Sequence, residues 1–402
     1  MFERQLVSAL SSRLTEPRRF MQIVMGPRQT GKTTAIGQAL KQTDLPHRFS
    51  SGDQALLAGR TWLQEEWSAA RRLITKDSPS AIFVLDEIQA VPQWSSIVKM
   101  LWDEDARSGI DLRVVLTGSS ALLLQSGLSE SLMGRFEILH STHWSYAECR
   151  EAFDYSFHDF LLYGGYPGGA PLRHEPDRWK SYIESSIIES TLSKDVLALE
   201  SIRKPALLRQ LFSLGCAYSG QEVSYRKLLG QLDDAGNTTT IAHYLELLSR
   251  AGMLTGLQKY SGNTLRMKGS SPRLAVYDTA LMVVASAESP ETLLEDSAKF
   301  GRLAESAVGA YLLSRSKADN FDLYWWRDGN HEVDFVIKQG EQVLGIEVKS
   351  GTIENLKGLS VFREKFPGAE TIVVGTPQSP LEDFLAGNVP LLINEINRSC
   401  VR

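Results

Sequence analysis

Two periodicities organise the 402-residue chain. Phe2, Leu6, Leu10 and Leu14 fall four apart, which predicts one face of a helix. Met21, Ile23, Val24 and Met25 instead form a short apolar run, as do Ala81–Leu85 and Val114–Leu116. Such runs lack polar alternation and so predict strands covered on both faces, the pattern of a parallel sheet between helices. Thr34–Lys41 and the amphipathic stretch Ala55–Leu73 read as two of those helices.

Beyond Ser145 the pattern turns helical. Residues to Lys194 predict helices around the Gly-rich turn Gly164–Gly169, a candidate lid. Leu207–Tyr218, Tyr225–Leu232 and Thr239–Ala251 give three short helical patterns, with Gly236-Asn237-Thr238 as turn and cap before the third. A strand pair follows, Leu254–Tyr260 and Thr264–Lys268, around Ser261-Gly262-Asn263. After Leu293 the order is a long helix (Lys299–Arg315) and strands Phe321–Arg327, His331–Lys338 and Val343–Ser350. Helix Glu354–Phe366 and strand Thr371–Gly375 complete it.

The first apolar run leads into Gly26-Pro27-Arg28-Gln29-Thr30-Gly31-Lys32-Thr33-Thr34, with Gly26, Gly31, Lys32 and Thr33 at the G-x-x-x-x-G-K-[ST] spacing. The glycines let backbone N–H groups face phosphate oxygens, and the helix opening at Lys32 adds the positive end of its dipole. Lys32 reaches the β- and γ-phosphates, and the Thr33 hydroxyl is a Mg²⁺ ligand. This stretch predicts an ATP·Mg²⁺ site. Asp86 and Glu87, at the end of the second run, are placed to hold Mg²⁺ and to polarise the attacking water respectively. The third run ends in Thr117-Gly118-Ser119-Ser120, where Ser119 or Thr117 is a candidate sensor of the γ-phosphate. Arg135 reads either as an arginine finger acting on a neighbouring subunit or as a surface arginine in an ion pair.

Composition narrows the setting. A net charge of −5 and a pI near 5.9 exclude a protein basic throughout, leaving room for a local basic face. Residues 203–273 supply one, with Arg203, Lys204, Arg209, Arg226, Lys227, Arg250, Lys259, Arg266, Lys268 and Arg273. Three helices followed by a strand pair form a winged-helix-like pattern, and basic charge on it suggests contacts to a phosphate backbone. A protein-binding module with solvated lysines is the alternative. The three cysteines are far apart without metal-ligand spacing, and no apolar run approaches membrane-spanning length, so a cytoplasmic protein is expected.

A second constellation lies near the carboxyl end. Glu347 and Lys349 share one face of a strand by period-two alternation, and Asp334 interrupts the apolar run Val333–Ile337. A buried carboxylate is costly unless paired or bound to metal. Asp334 and Glu347 are candidate Mg²⁺ ligands, Glu305 on the preceding helix is a third, and Lys349 is placed to position the attacking water. A structural ion pair is the other reading. The spacing Asp334…Glu347-Val348-Lys349 resembles the PD-(D/E)XK nuclease motif, without a proline before Asp334.

Gly26–Thr34, Leu85–Gln89, Leu116–Ser120 and Ser131–Arg135 together resemble the AAA+-type ATPases of bacteria and archaea with a C-terminal restriction-endonuclease-like domain of unknown function. Tyr163–Gly168 and Pro272–Asp278 are similar to that family's linking segments. The expected fold is α/β: a P-loop AAA+ domain (1–145), a helical lid (146–202), a winged-helix-like domain (203–292) and a restriction-endonuclease-like domain (293–402). Two functions are open. One is an ATP-driven enzyme that acts on nucleic acid, DNA first, as a homo-oligomer such as a ring, with a metal-dependent nuclease site. The other is a nucleotide-switched regulatory or scaffold protein that binds DNA or a partner without cutting.

Overall fold

A computed structural model describes residues 2–54, 61–118, 132–197, 202, 204–233, 236–262, 271–351 and 356–391. The chain forms two compact units, Met1–Thr142 and His143–Arg402.

The first unit is built on five parallel strands: β1 (Met21–Met25), β2 (His47–Ser51), β3 (Ser80–Asp86), β4 (Asp111–Gly118) and β5 (Phe136–His140). Their order is β2-β3-β4-β1-β5. Alternation sends successive side chains to opposite faces. Ile23, Phe83, Val114 and Leu116 join one apolar layer, with Trp67 and Trp102. Val24, Val84 and Val115 join the other, with Leu10 from helix Gln5–Thr15 and Ile36 from helix Lys32–Lys41. The three central strands are the three apolar runs expected from sequence. β2 and β5 were not expected: both lie at sheet edges, where polar residues such as Arg48 and Glu137 interrupt the apolar signal. The helix expected over Ala55–Leu73 is seen at Trp62–Arg71, residues 55–60 lying outside the described set.

The second unit carries a six-stranded sheet ordered β11-β10-β9-β8-β6-β7. Its strands are β6 (Leu254–Lys259), β7 (Arg273–Val276), β8 (Asp322–Asp328), β9 (His331–Gln339), β10 (Gln342–Val348) and β11 (Glu370–Val374). The strand predicted at Thr264–Lys268 lies outside the described residues, and β6 instead pairs antiparallel with β7. β6 also pairs parallel with β8. Strands expected on either side of a boundary at 292/293 therefore share one sheet, because the far edge of β6 offers its ladder to β8. Three helices, Pro205–Ala217, Tyr225–Leu229 and Thr238–Arg250, precede β6 as the pattern predicts.

The Gly164-Gly165 turn has a physical explanation in Asp278. Asp278 is buried and caps helix Thr279–Ala285, its Oδ1 accepting from the N–H of Ala280 at 2.9 Å. Its Oδ2 accepts from the N–H of Gly165 at 2.8 Å. A Cβ on Gly164, whose φ is +66°, would stand 1.8 Å from Asp278 Oδ1. Only glycine admits the carboxylate there.

Burial pushes the Asp278 carboxyl up to about 7, against the pull of the two backbone N–H groups. A raised carboxyl pKa means that the folded unit holds this proton more tightly than the unfolded chain. Its stabilising contribution is complete below about pH 4 and is lost as pH rises towards 7. Asp278→Asn should flatten that loss. Denaturant titrations of the two proteins at pH 4.5 and 7.5 are expected to differ in their pH dependence by on the order of 2–4 kcal/mol. Identical pH dependence would contradict the assignment.

Candidate functional site

β1 is buried along its whole length and delivers the chain into the loop 26–31. The loop is fixed from several sides. Ser141, just past β5, donates its N–H to Met25 O at 2.8 Å and shares a 3.0 Å hydroxyl contact with Thr30. A Cβ on Gly26 would lie 1.9 Å from Ser141 O, so the first glycine of the motif is demanded by packing against β5. Thr30 Oγ1 also donates to Pro27 O at 3.1 Å. The buried Arg4 guanidinium donates to Thr30 O at 3.2 Å. Nothing in the sequence pattern marked Arg4, which sits just ahead of the first helix.

Gln29 and Gly31 both adopt left-handed backbone conformations, with φ of +59° and +85°. Helix Lys32–Lys41 then begins at Gly31 with no side chain capping it. An uncapped helix start after such turns presents N–H groups to an anion. Lys32 is buried and donates to Gly26 O at 3.0 Å and Pro27 O at 2.6 Å. Its ammonium therefore lies within the concavity of the loop. Arg28 and Thr34 belong to the same turn and helix start.

The carboxyl ends of β3 and β4 complete the site. Thr33 Oγ1 donates to Asp86 Oδ2 at 3.0 Å, and the N–H of Glu87 donates to Asp86 Oδ1 at 3.1 Å. Burial raises the Asp86 carboxyl, while the Thr33 hydroxyl draws it back. Glu87 has φ +49°, and its carboxylate accepts from the side chain of Gln89. The β3–β4 register (Leu85 opposite Leu116) puts Thr117 beside Asp86, on the face covered by helix Lys32–Lys41. Thr117 is fully buried, and among the described residues its Oγ1 has no hydrogen-bond partner. Ser119, the other candidate sensor, lies outside the described residues.

These groups suit a nucleoside triphosphate with Mg²⁺. A hydroxyl and a carboxylate form a hard oxygen set, to which phosphate and water would add the remaining ligands. The orphaned Thr117 hydroxyl is a polar group awaiting a partner at the same strand edge. Arg135 is held elsewhere: its Nε and Nη2 donate to the two Asp103 carboxylate oxygens at 2.8 and 3.0 Å. That bidentate pair matches the ion-pair reading of Arg135 and uses the groups a finger would extend.

In the second unit the structure does bring Asp334, Glu347, Lys349 and Glu305 together. Lys349 Nζ bonds Glu347 Oε1 at 2.7 Å. Asp334 Oδ2 accepts from the N–H of Val348 at 2.8 Å. The sequence did not anticipate Arg273, which starts β7 and enters the cluster. Its Nη2 bonds both Glu305 Oε1 and Asp334 Oδ1, the latter at 3.2 Å. Burial raises the carboxyls of Glu305, Asp334 and Glu347 above their ordinary range. Among the described residues no three His, Cys, Asp or Glu side chains are disposed to hold one metal ion. Of the expected Mg²⁺ set of Glu305, Asp334 and Glu347, the Arg273 guanidinium thus bonds two carboxylates, Glu305 and Asp334. The local basic face is also reduced, since Arg209 pairs with Glu189, Arg250 with Glu246, and Arg273 is buried. Arg226 and Lys227 remain exposed.

Residues 18–150 match a family described as an AAA domain. Residues 154–292 and 300–390 match two domains of unknown function, DUF8612 and DUF4143. An uncharacterized protein of Haemophilus influenzae is 24% identical over 356 residues, covering 84% of each chain. One of Mycobacterium tuberculosis is 26% identical over 330 residues, covering 81% of this chain and 69% of the relative. One of Methanocaldococcus jannaschii is 25% identical over 340 residues, covering 79% and 72%. A solved structure described as a Walker-type ATPase of Pyrococcus abyssi superposes with a TM-score of 0.50 at 14% identity, covering 71% of this chain and 96% of that one. No helix among the described residues is long and apolar enough to cross a membrane. In its AAA-domain match and in its fold, the chain is similar to P-loop ATPases.

Proposed function

We propose that this protein binds and hydrolyses ATP with Mg²⁺, and that nucleotide state governs what its second unit binds. The observation that carries the reading is the Thr33–Asp86 contact at 3.0 Å, set beside a helix start with no side-chain cap. Backbone N–H groups of the loop and Lys32 would hold the phosphates. Thr33 and Asp86 would hold the Mg²⁺, which when bound neutralises charge developing on the phosphates. Glu87 takes the proton of the attacking water, and Gln89 orients the Glu87 carboxylate. Thr117 offers its hydroxyl at the strand end. Arg135 is left out because Asp103 holds it.

For the second unit we favour binding without cleavage, in the cytoplasm, with DNA as the first partner to test. Three helices ahead of β6 support that choice, as do Arg226 and Lys227 exposed on the middle helix. A nuclease reading of Asp334, Glu347 and Lys349 has Arg273 against it. A homo-oligomer also belongs to the proposal.

Lys32→Ala should abolish ATP hydrolysis and weaken nucleotide binding. Glu87→Gln should bind a fluorescent ATP analogue as the wild type does, yet release phosphate roughly 10²–10⁴-fold more slowly. Equal turnover by wild type and Glu87→Gln would remove Glu87 from the base role.

Binding of a labelled DNA duplex, followed by anisotropy, should weaken with added salt. Arg226→Ala and Lys227→Ala should each lower the slope of log K against log salt by about one. Slopes unchanged in both variants would argue that the partner is not a phosphate backbone at this helix.

A further inference from the structure

We infer that Arg273 is the resident cation of the carboxylate cluster in the second unit, standing where a divalent metal would otherwise be required. The inference is independent of whether the first unit hydrolyses ATP. It rests on how the cluster's oxygens are already used. Glu305 and Asp334 each give an oxygen to the same Arg273 nitrogen. The second Asp334 oxygen accepts from the N–H of Val348 at 2.8 Å. One Glu347 oxygen accepts from Lys349 at 2.7 Å. The other, Glu347 Oε2, is buried and without a partner among the described residues. A magnesium ion takes six oxygens, usually with one or two carboxylates among them. Two carboxylate oxygens remain, Glu305 Oε2 and Glu347 Oε2, each on a carboxylate already paired with a cation through its other oxygen.

Charge points the same way. Arg273 and Lys349 set two positive charges against the carboxylates of Glu305, Asp334 and Glu347, leaving a single formal negative charge. A dication added to this arrangement would face two cations at close range. Arg273 is also built into place. It is 5% exposed, and its Nε donates to Gly220 O at 2.9 Å. The N–H of Gly220 in turn donates to Leu274 O at 2.8 Å, and its φ of +80° favours glycine. The guanidinium joins β7, the long helix Ser297–Asp319 and β9 through one buried centre. Arginine suits this role because its planar fork of donors reaches several carboxylate oxygens at once.

Mn²⁺ without nucleotide is the probe, and the full chain is the sample. Free Mn²⁺ is read by electron paramagnetic resonance, with thermal melts alongside. Wild type and Asp334→Asn should take up Mn²⁺ alike, and millimolar Mn²⁺ should leave the wild-type melting temperature where it was. Arg273→Ala, which leaves Glu305 and Asp334 without their cation, should melt lower and then gain several degrees in Mn²⁺, with one more ion bound than wild type. An Arg273→Ala protein that folds but ignores Mn²⁺ would overturn the inference. So would one equivalent of Mn²⁺ bound by wild type and lost in Asp334→Asn, and this comparison decides the matter even where Arg273→Ala does not fold.

Discussion

In a parallel sheet the carboxyl ends of all strands emerge at one edge, and the first unit depends on that constraint. β1 lies between β4 and β5, with β3 beyond β4. The loop after β1, the acidic pair after β3 and the hydroxyl at the end of β4 therefore meet without any long-range coincidence in the sequence. Apolar layers on both faces, led by Trp67 and Phe83 on one side and Ile36 and Val84 on the other, hold the strands in register. Ser141, at the end of β5, presses on Gly26 and bonds Thr30, so the edge strand shapes the loop even though it supplies no chemistry.

The second unit is governed by a different constraint, the cost of burying charge. Asp278 is satisfied by two backbone N–H groups, and its approach dictates glycine at position 164. Asp334 is satisfied by a backbone N–H and by Arg273. Arg273 in β7 bonds Asp334, and Asp278 just after β7 bonds Gly165, so the four-residue strand and its exit tie helices and sheet together. A carboxylate in an apolar strand thus has two physical explanations, a metal or a cation from the chain, and only the surroundings distinguish them.

Much of this was legible beforehand. Continuous apolar runs gave β1, β3 and β4, and the G-x-x-x-x-G-K-[ST] spacing gave the loop residues, because both signals are local. Alternation correctly placed Glu347 and Lys349 together and put Asp334 near them. Edge strands β2 and β5 were missed, since one side of an edge is free to be polar. Arg273 was counted towards a basic surface although it is buried 61 positions away in sequence from its partner Asp334. No period along the chain encodes such a pairing. The same holds for Arg4, whose bond to Thr30 spans 26 positions, and for Asp103, which claims Arg135.

The central claim is that the loop, Thr33 and Asp86 form a Mg²⁺-assisted nucleotide site. Calorimetric titration of ATP into the full chain, with and without Mg²⁺ and repeated on Thr33→Val, tests it most directly. The account predicts one nucleotide per chain, bound more tightly with Mg²⁺ in the wild type, and loss of most of that Mg²⁺ dependence in Thr33→Val. Absence of nucleotide binding, or an equal Mg²⁺ effect in both proteins, would contradict it.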